Sequence, residues 1–199
     1  MYGPQYKYGT DEPVLGTEEY NGKPLEYVNY IRRESERKSP DEVLRSTMAD
    51  GEENSGARFD KYKSGPLTDE NYRENHYLLY RLTEIYYNKA EALMRKNGGK
   101  ATQEAVDLIN ACRKRAFSDE DWAEAKYTTE TLTMDELLNE RGREFIFEGK
   151  RRTDLIRFGK FTTASWWDHK PSNDPNKEIY PIPHTQIGAN PNLKQNPGY

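Results

Sequence analysis

The stretch "HYLLYRLTEIYYNKAEALMRKNGG", residues 76–99, constrains the fold of this chain more than any other. Its apolar positions 78, 79, 82, 85, 86, 90 and 93 recur three and four residues apart, the period of one face of an α-helix. Gly98-Gly99 follows, and glycine readily supplies the left-handed turn that ends a helix. A second helix is expected after Thr102, through "QEAVDLINACRKRA", with Ala105, Leu108, Ile109, Cys112 and Ala116 on one face. Two helices joined by so short a turn make a hairpin. The small residues Ala90, Ala92, Ala105 and Ala116 let its two arms approach closely.

The hairpin has the size and pattern of one tetratricopeptide unit, which needs neighbours to cover its faces. A third helix is expected over 133–149, opened by the capping box Thr133-x-x-Glu136 and closed or bent at Gly149, then a short one over 152–159. Residues 117–131 read as a polar link. The fold class is therefore mainly α, with tetratricopeptide-like hairpins and long irregular Pro/Asn/Gly-rich loops.

Three regions follow: a loop-rich, tyrosine-bearing segment over 1–75, a helical core over 76–160, and a Pro-rich tail over 161–199. Within the first, "SPDEVLRSTM" reads as a short helix capped by Ser39, "DGEENSG" as a turn and "ARFDKYKSG" as a short strand. The tail carries Pro171, Pro175, Pro181, Pro183, Pro191 and Pro197, none of which fits a helix interior, so it is expected to lie extended across the helices.

Composition narrows the function. At 199 residues the chain is long enough for one core, but only 34% of it is hydrophobic and 32% is charged. Fifteen Tyr, six Phe and three Trp argue for an ordered protein with a wet, aromatic surface rather than a disordered one. A net charge of −4 disfavours general attraction to nucleic acid or anionic lipid. The single cysteine, Cys112, rules out an internal disulfide, and on the apolar face of a helix it reads as a small core residue. His76, His169 and His184 are scattered without metal-ligand spacing, so neither a metal nor a cofactor is expected.

The segment "ERGREFIFEGKRRTDLIRFGK", residues 140–160, sets four acids and seven bases around large apolar groups. A nucleic-acid grip would need an uncompensated basic face. Here acids and bases interleave at spacings that pair along a helix, which favours structural ion pairs. A glycosidase pair is disfavoured too: Glu140, Glu144 and Glu148 lie one turn apart on one helix with Arg neighbours, whereas such an enzyme needs one carboxyl held neutral. Serine-hydrolase, zincin, P-loop and dinucleotide-binding motifs are absent from the sequence, so no enzyme is expected.

Rings beside polar groups are the remaining signal. Sugars offer apolar C–H faces with hydroxyl rims, and Trp166-Trp167 is followed by Asp168, His169 and "SNDPN". The same pair is as able to pin a Pro-rich tail to a helical body, and for these two residues packing is favoured over sugar stacking. Tyr2, Tyr6, Tyr8 and Tyr20, set among Gly and Pro, divide evenly between packing and ligand contact.

Four stretches, "RLTEIYYNKAEALMRKNG", "AVDLINACRKRA", "TMDELLNERGREFIFEGKRRTDLIRFGKF" and "EIYPIPHTQIGANPNLKQNPGY", resemble in order and spacing the C-terminal part of SusD/RagB proteins. The resemblance implies a surface lipoprotein of the outer membrane in Bacteroidetes-type bacteria. Such a protein binds glycans, or peptides in some branches, lids a SusC-type TonB-dependent porin and is not an enzyme. Signal peptide, lipidated cysteine and N-terminal helical repeats are missing from this sequence, so it is expected to be the C-terminal portion of a longer protein, attached to membrane only through that missing anchor. Trp166, Trp167, Tyr2, Tyr6, Tyr8 and Tyr20 are the candidate ligand-binding residues. The alternative is a helical-repeat scaffold that contacts the porin alone and holds no ligand site in this segment.

Overall fold

A computed structural model of the chain describes residues 3–7, 9–28, 51–56, 58–59, 61–62, 76–166 and 169–199. They fall into two compact units, Met1–Asn75 and His76–Tyr199. The helix expected over "SPDEVLRSTM" lies outside the described residues, as does most of "ARFDKYKSG", whose described residues 58, 59, 61 and 62 carry no strand.

In the first unit β1 (Gly3–Pro4) pairs antiparallel with β2 (Glu26–Tyr27), Gly3 opposite Tyr27. Single bridges extend the pairing, Tyr6 to Pro13 and Leu15 to Pro24. The strands stay this short because Pro4, Pro13 and Pro24 bring no N–H to a ladder. A carboxylate completes the meander: Glu53 accepts from the backbone N–H of Thr17 at 3.0 Å, Glu18 at 3.2 Å and Tyr20 at 3.0 Å. The Thr17 N–H does most to hold its carboxyl below the usual range. Gly16 has to be glycine, since a Cβ there would collide with the Glu53 carboxylate and the Tyr20 carbonyl.

The second unit is mainly helical. Its hairpin is α1 (Leu82–Lys96) and α2 (Gln103–Arg113), the latter running into a 3-10 turn at Lys114–Ala116. Asn97, Gly98 and Gly99 close α1, with both glycines at positive φ and Gly99 N–H donating to Met94 O at 2.8 Å. Thr102 caps α2 by accepting from Ala105 N–H at 3.2 Å. The core joins Tyr87, Ala90 and Met94 of α1 to Ala105, Val106 and Ile109 of α2.

Helix α1 starts six residues later than periodicity suggests, and a different stripe faces inward. Arg81 stands at the N-cap and is extended, with φ −149 and ψ 158, as residues at that position usually are, and its guanidinium reaches Glu144 and Glu148. The buried positions are Tyr87, Ala90, Glu91 and Met94, while Leu78, Leu79, Leu82 and Ile85 of the expected stripe are exposed.

The polar link also holds a helix, α3 (Asp119–Ala125). It has no apolar stripe, but Ser118 caps it and Asp119, Glu120 and Asp121 crowd its first turn, where negative charge meets the positive end of the helix dipole.

Thr133 caps α4 (Met134–Glu144), accepting from Glu136 N–H at 3.1 Å. The Glu136 side chain turns instead to Tyr127 OH at 2.7 Å, so the capping box is half made. The helix ends before Gly149: Phe145 directs its ring edge-on to Tyr87 at 5.1 Å, and Phe147 and Gly149 both take positive φ in the turn that follows. Then α5 (Arg151–Arg157) begins.

The tail is not simply extended. It contains a 3-10 turn at Pro175–Glu178 and α6 (His184–Ala189). Arg152 of α5 tethers it, its guanidinium 4.9 Å from the Phe161 ring and 4.1 Å from Tyr180 while donating to Glu178 O at 2.9 Å. Farther along, Gln195 meets both the N–H and the C=O of Ile182, and Tyr199 OH donates to Ile179 O at 2.9 Å, closing the tail on itself.

Candidate ligand-binding surface

The acids of α4 and its following turn take their partners mostly from other elements. Glu140 accepts from Arg113 Nη1 of α2 at 2.6 Å, from Arg143 Nε at 2.7 Å and from the Tyr127 and Tyr87 hydroxyls at 3.1 and 3.4 Å. Glu144 is held by Arg81 and Arg115, each at 2.6 Å. Glu148 accepts from Arg81 at 2.8 Å. Along α4, Arg143 pairs with Glu140 and Glu136, and along α5 Arg157 pairs with Asp154, as the spacing suggests, but Arg81, Arg113 and Arg115 reach in from other elements, so the network also ties α1, α2 and α4 together.

The network shifts the titration of Glu136 and of the two tyrosines that border it. Burial tends to raise the Glu136 carboxyl, but hydrogen bonds from Tyr127 and Arg143 outweigh it and keep the group below the usual carboxylate range. Burial first, then the Glu140 charge, pushes the Tyr87 hydroxyl well up. Burial and the bond to Glu136 do the same for Tyr127. Carboxylates locked between guanidinium groups, as Glu140 and Glu144 are, orient the helices that carry them. Cys112 is half-buried, and burial raises its thiol, which suits a packing role. Among the described residues no group of three His, Cys, Asp or Glu is placed to hold a metal. None of the described helices is long and apolar enough to cross a membrane.

Three of the six ring candidates, Tyr2, Tyr8 and Trp167, lie outside the described residues. Tyr6 and Tyr20 share the meander of the first unit. Tyr6 is 57% exposed at its bridge to Pro13. Tyr20 is half-buried at the tip that Glu53 gathers, and its hydroxyl donates to Glu52 Oε2 at 3.1 Å. Trp166 belongs to the second unit and is 43% exposed. Its backbone exchanges two hydrogen bonds with His169, at 3.1 and 3.2 Å, and the two rings sit 5.1 Å apart, tilted by 41°. These contacts with His169 hold the tryptophan while leaving much of its indole in solvent.

The sequence profile described as the SusD family matches residues 46–199, the whole helical unit included. The chain belongs to the SusD family.

A curated relative, the starch-binding protein SusD of Bacteroides thetaiotaomicron, is 38% identical over 151 residues, 71% of this chain and 25% of the relative. The chain thus spans about a quarter of that relative's length. Two solved SusD superfamily structures are also similar. The one from Bacteroides vulgatus is 30% identical at a TM-score of 0.47, covering 66% of this chain and 30% of its own. The one from Bacteroides fragilis is 26% identical at 0.49, covering 63% and 28%.

Arg81, Arg113 and Arg115 are the network residues that spacing missed. Each lies about 30 to 70 residues from its acid, and periodicity along one helix is blind to such partners.

Proposed function

We propose that this SusD-family chain is part of a non-catalytic nutrient-binding subunit that takes up a glycan at the outer membrane beside a SusC-like TonB-dependent porin. The supporting observation is family membership across 46–199 together with a relative named for starch binding. The helical unit supplies a rigid frame, and exposed rings such as Tyr6 and Trp166 supply stacking surfaces of the kind sugars use. The carboxylates of α4, held between arginines, serve the frame and not a reaction. Attachment to the outer membrane through a lipid anchor belongs to the same reading.

Affinity electrophoresis of the chain in gels containing amylopectin or other neutral polysaccharides tests this reading. Retarded migration in at least one gel is expected. Unretarded migration in every gel, with co-purification of the porin intact, would leave the scaffold that contacts the porin alone.

A further inference from the structure

A cleft of about 390 Å³ opens on the second unit, away from Trp166 in sequence and lined by none of the six ring candidates. One wall is the segment before α1 together with Glu84 and Asn88, and the other is the turn and first residues of α5. The Arg141–Asp154 pair lies at its base.

The lining selects the chemistry of a ligand. Arg141, Lys150 and Arg157 balance Glu84, Glu148 and Asp154, so neither an anion nor a cation finds a net opposite charge. The polar groups nevertheless keep hydrogen-bonding capacity. A buried oxygen of Glu84, Oε2, has no aligned donor: Lys150 Nζ stands 3.0 Å away but off the line of a hydrogen bond. Such an oxygen accepts from a hydroxyl. Asn88 commits its Oδ1 to Arg141 Nη1 at 3.0 Å, which keeps its amide N–H groups as donors, and the exposed Thr153 adds a hydroxyl that can give or accept. Tyr80, 81% exposed, brings an aromatic wall. Gly149 lines the cleft in the left-handed region, at φ 71, which a residue with a side chain rarely adopts.

We infer that this cleft is a binding site for a neutral saccharide, one or two sugar rings long, separate from the loop rings. A ring wall, a buried acceptor without an aligned donor, spare donors and no net charge suit a neutral polyol, and the volume lies at the small end of ligand pockets. A sugar hydroxyl donates to Glu84 Oε2, ring oxygens or hydroxyls accept from Asn88, and a C–H face lies against Tyr80. The inference rests on the glycan-binding reading above.

Titration of the full ¹⁵N-labelled chain with maltotriose, xylotriose and mannotriose, followed by amide shifts, tests it. Saturable shifts at Gly149, Lys150 and Thr153 are expected with at least one sugar. Tyr80→Ala and Thr153→Val should each weaken that affinity at least fivefold while the melting temperature stays within a degree or two. Shifts confined to the first unit or to Trp166, or wild-type affinity in both variants, would overturn the cleft and leave the glycan reading standing. No shift anywhere would overturn both.

Discussion

Arg141 Nε and Asp154 Oδ2 meet at 2.8 Å with both side chains only 2% exposed, joining the last turn of α4 to α5. Arg141 also reaches Asn88 of α1, and Arg157 reaches the other oxygen of Asp154 at 2.7 Å. Four polar side chains from three helices thus share one buried junction. Removing one partner of such a pair leaves a charge without its counterpart in a medium that solvates it poorly, which costs about 3–5 kcal/mol. Urea melts should show a loss of that size for Arg141→Ala. Replacing both members by apolar residues, as in Arg141→Met with Asp154→Leu, should recover much of it. Equal losses in the single and double variants would mean that the pair itself contributes net stability.

A second contrast separates buried from exposed arginines on one carboxylate. Glu144 receives Arg81, which also serves Glu148 and lies over the Phe145 ring at 4.8 Å, and Arg115, which is 65% exposed. Arg81→Ala should cost roughly 3 kcal/mol or more, because Glu148 is buried. Arg115→Ala should cost less than about 1 kcal/mol, as exposed pairs do. Denaturant midpoints of the two variants check the ranking.

Acid should weaken the helical unit through Glu91. Burial tends to raise this carboxyl, but hydrogen bonds from Arg157 and Arg95 outweigh it, so its value in the folded chain is depressed below that of the unfolded chain. A depressed carboxyl contributes stability that is fully present above the ordinary value of about 4.3 and is lost as pH falls toward the folded value. Urea midpoints should therefore hold nearly level from about pH 7 to about pH 5 and drop below that. Arg157→Met removes one of the two guanidinium partners and should flatten the acid limb; an unchanged limb would assign the acid sensitivity to other carboxylates.

What the sequence made legible was local. Thr102, Thr133 and the Gly98-Gly99 pair announced helix ends because capping acts over three or four residues. The mainly helical class was legible for the same reason, as was SusD membership, which rests on ordered motifs. The missed features were long-range or non-periodic. Arg81, just before α1, is paired with acids more than 60 residues away, and α3 forms from a cap and first-turn acids without an apolar stripe. The cleft was invisible for a similar reason: Glu84 and Thr153 lie 69 positions apart and look like ordinary surface residues until α1 and α5 pack.

The outward face of α1 gives a further test. Leu82 and Ile85 of α1 are each more than half exposed, as are Tyr77, Leu79 and Tyr80 in the segment that leads into it. Exposed large apolar side chains of this kind bind hydrophobic dyes and promote self-association. Leu82→Lys with Ile85→Lys should lower dye fluorescence and reduce association in light scattering, with little change in melting temperature because neither side chain lies in the core. A strong loss of stability in that variant would mean that the face is covered in solution.

Trp166 separates the two uses proposed for an exposed ring. Its position is set by backbone hydrogen bonds to His169, which a side-chain truncation leaves in place, and the neighbouring imidazole covers only part of the indole. Trp166→Ala should therefore weaken retardation by a neutral polysaccharide while lowering the melting temperature by no more than a degree or two. Glu144→Ala should do the reverse, because it breaks the junction with Arg81 and Arg115 without touching a ring. Affinity electrophoresis and thermal melts on the same two proteins decide the matter. If Trp166→Ala keeps full retardation but loses several degrees, the tryptophan anchors the tail, and sugar stacking falls to other rings such as Tyr6.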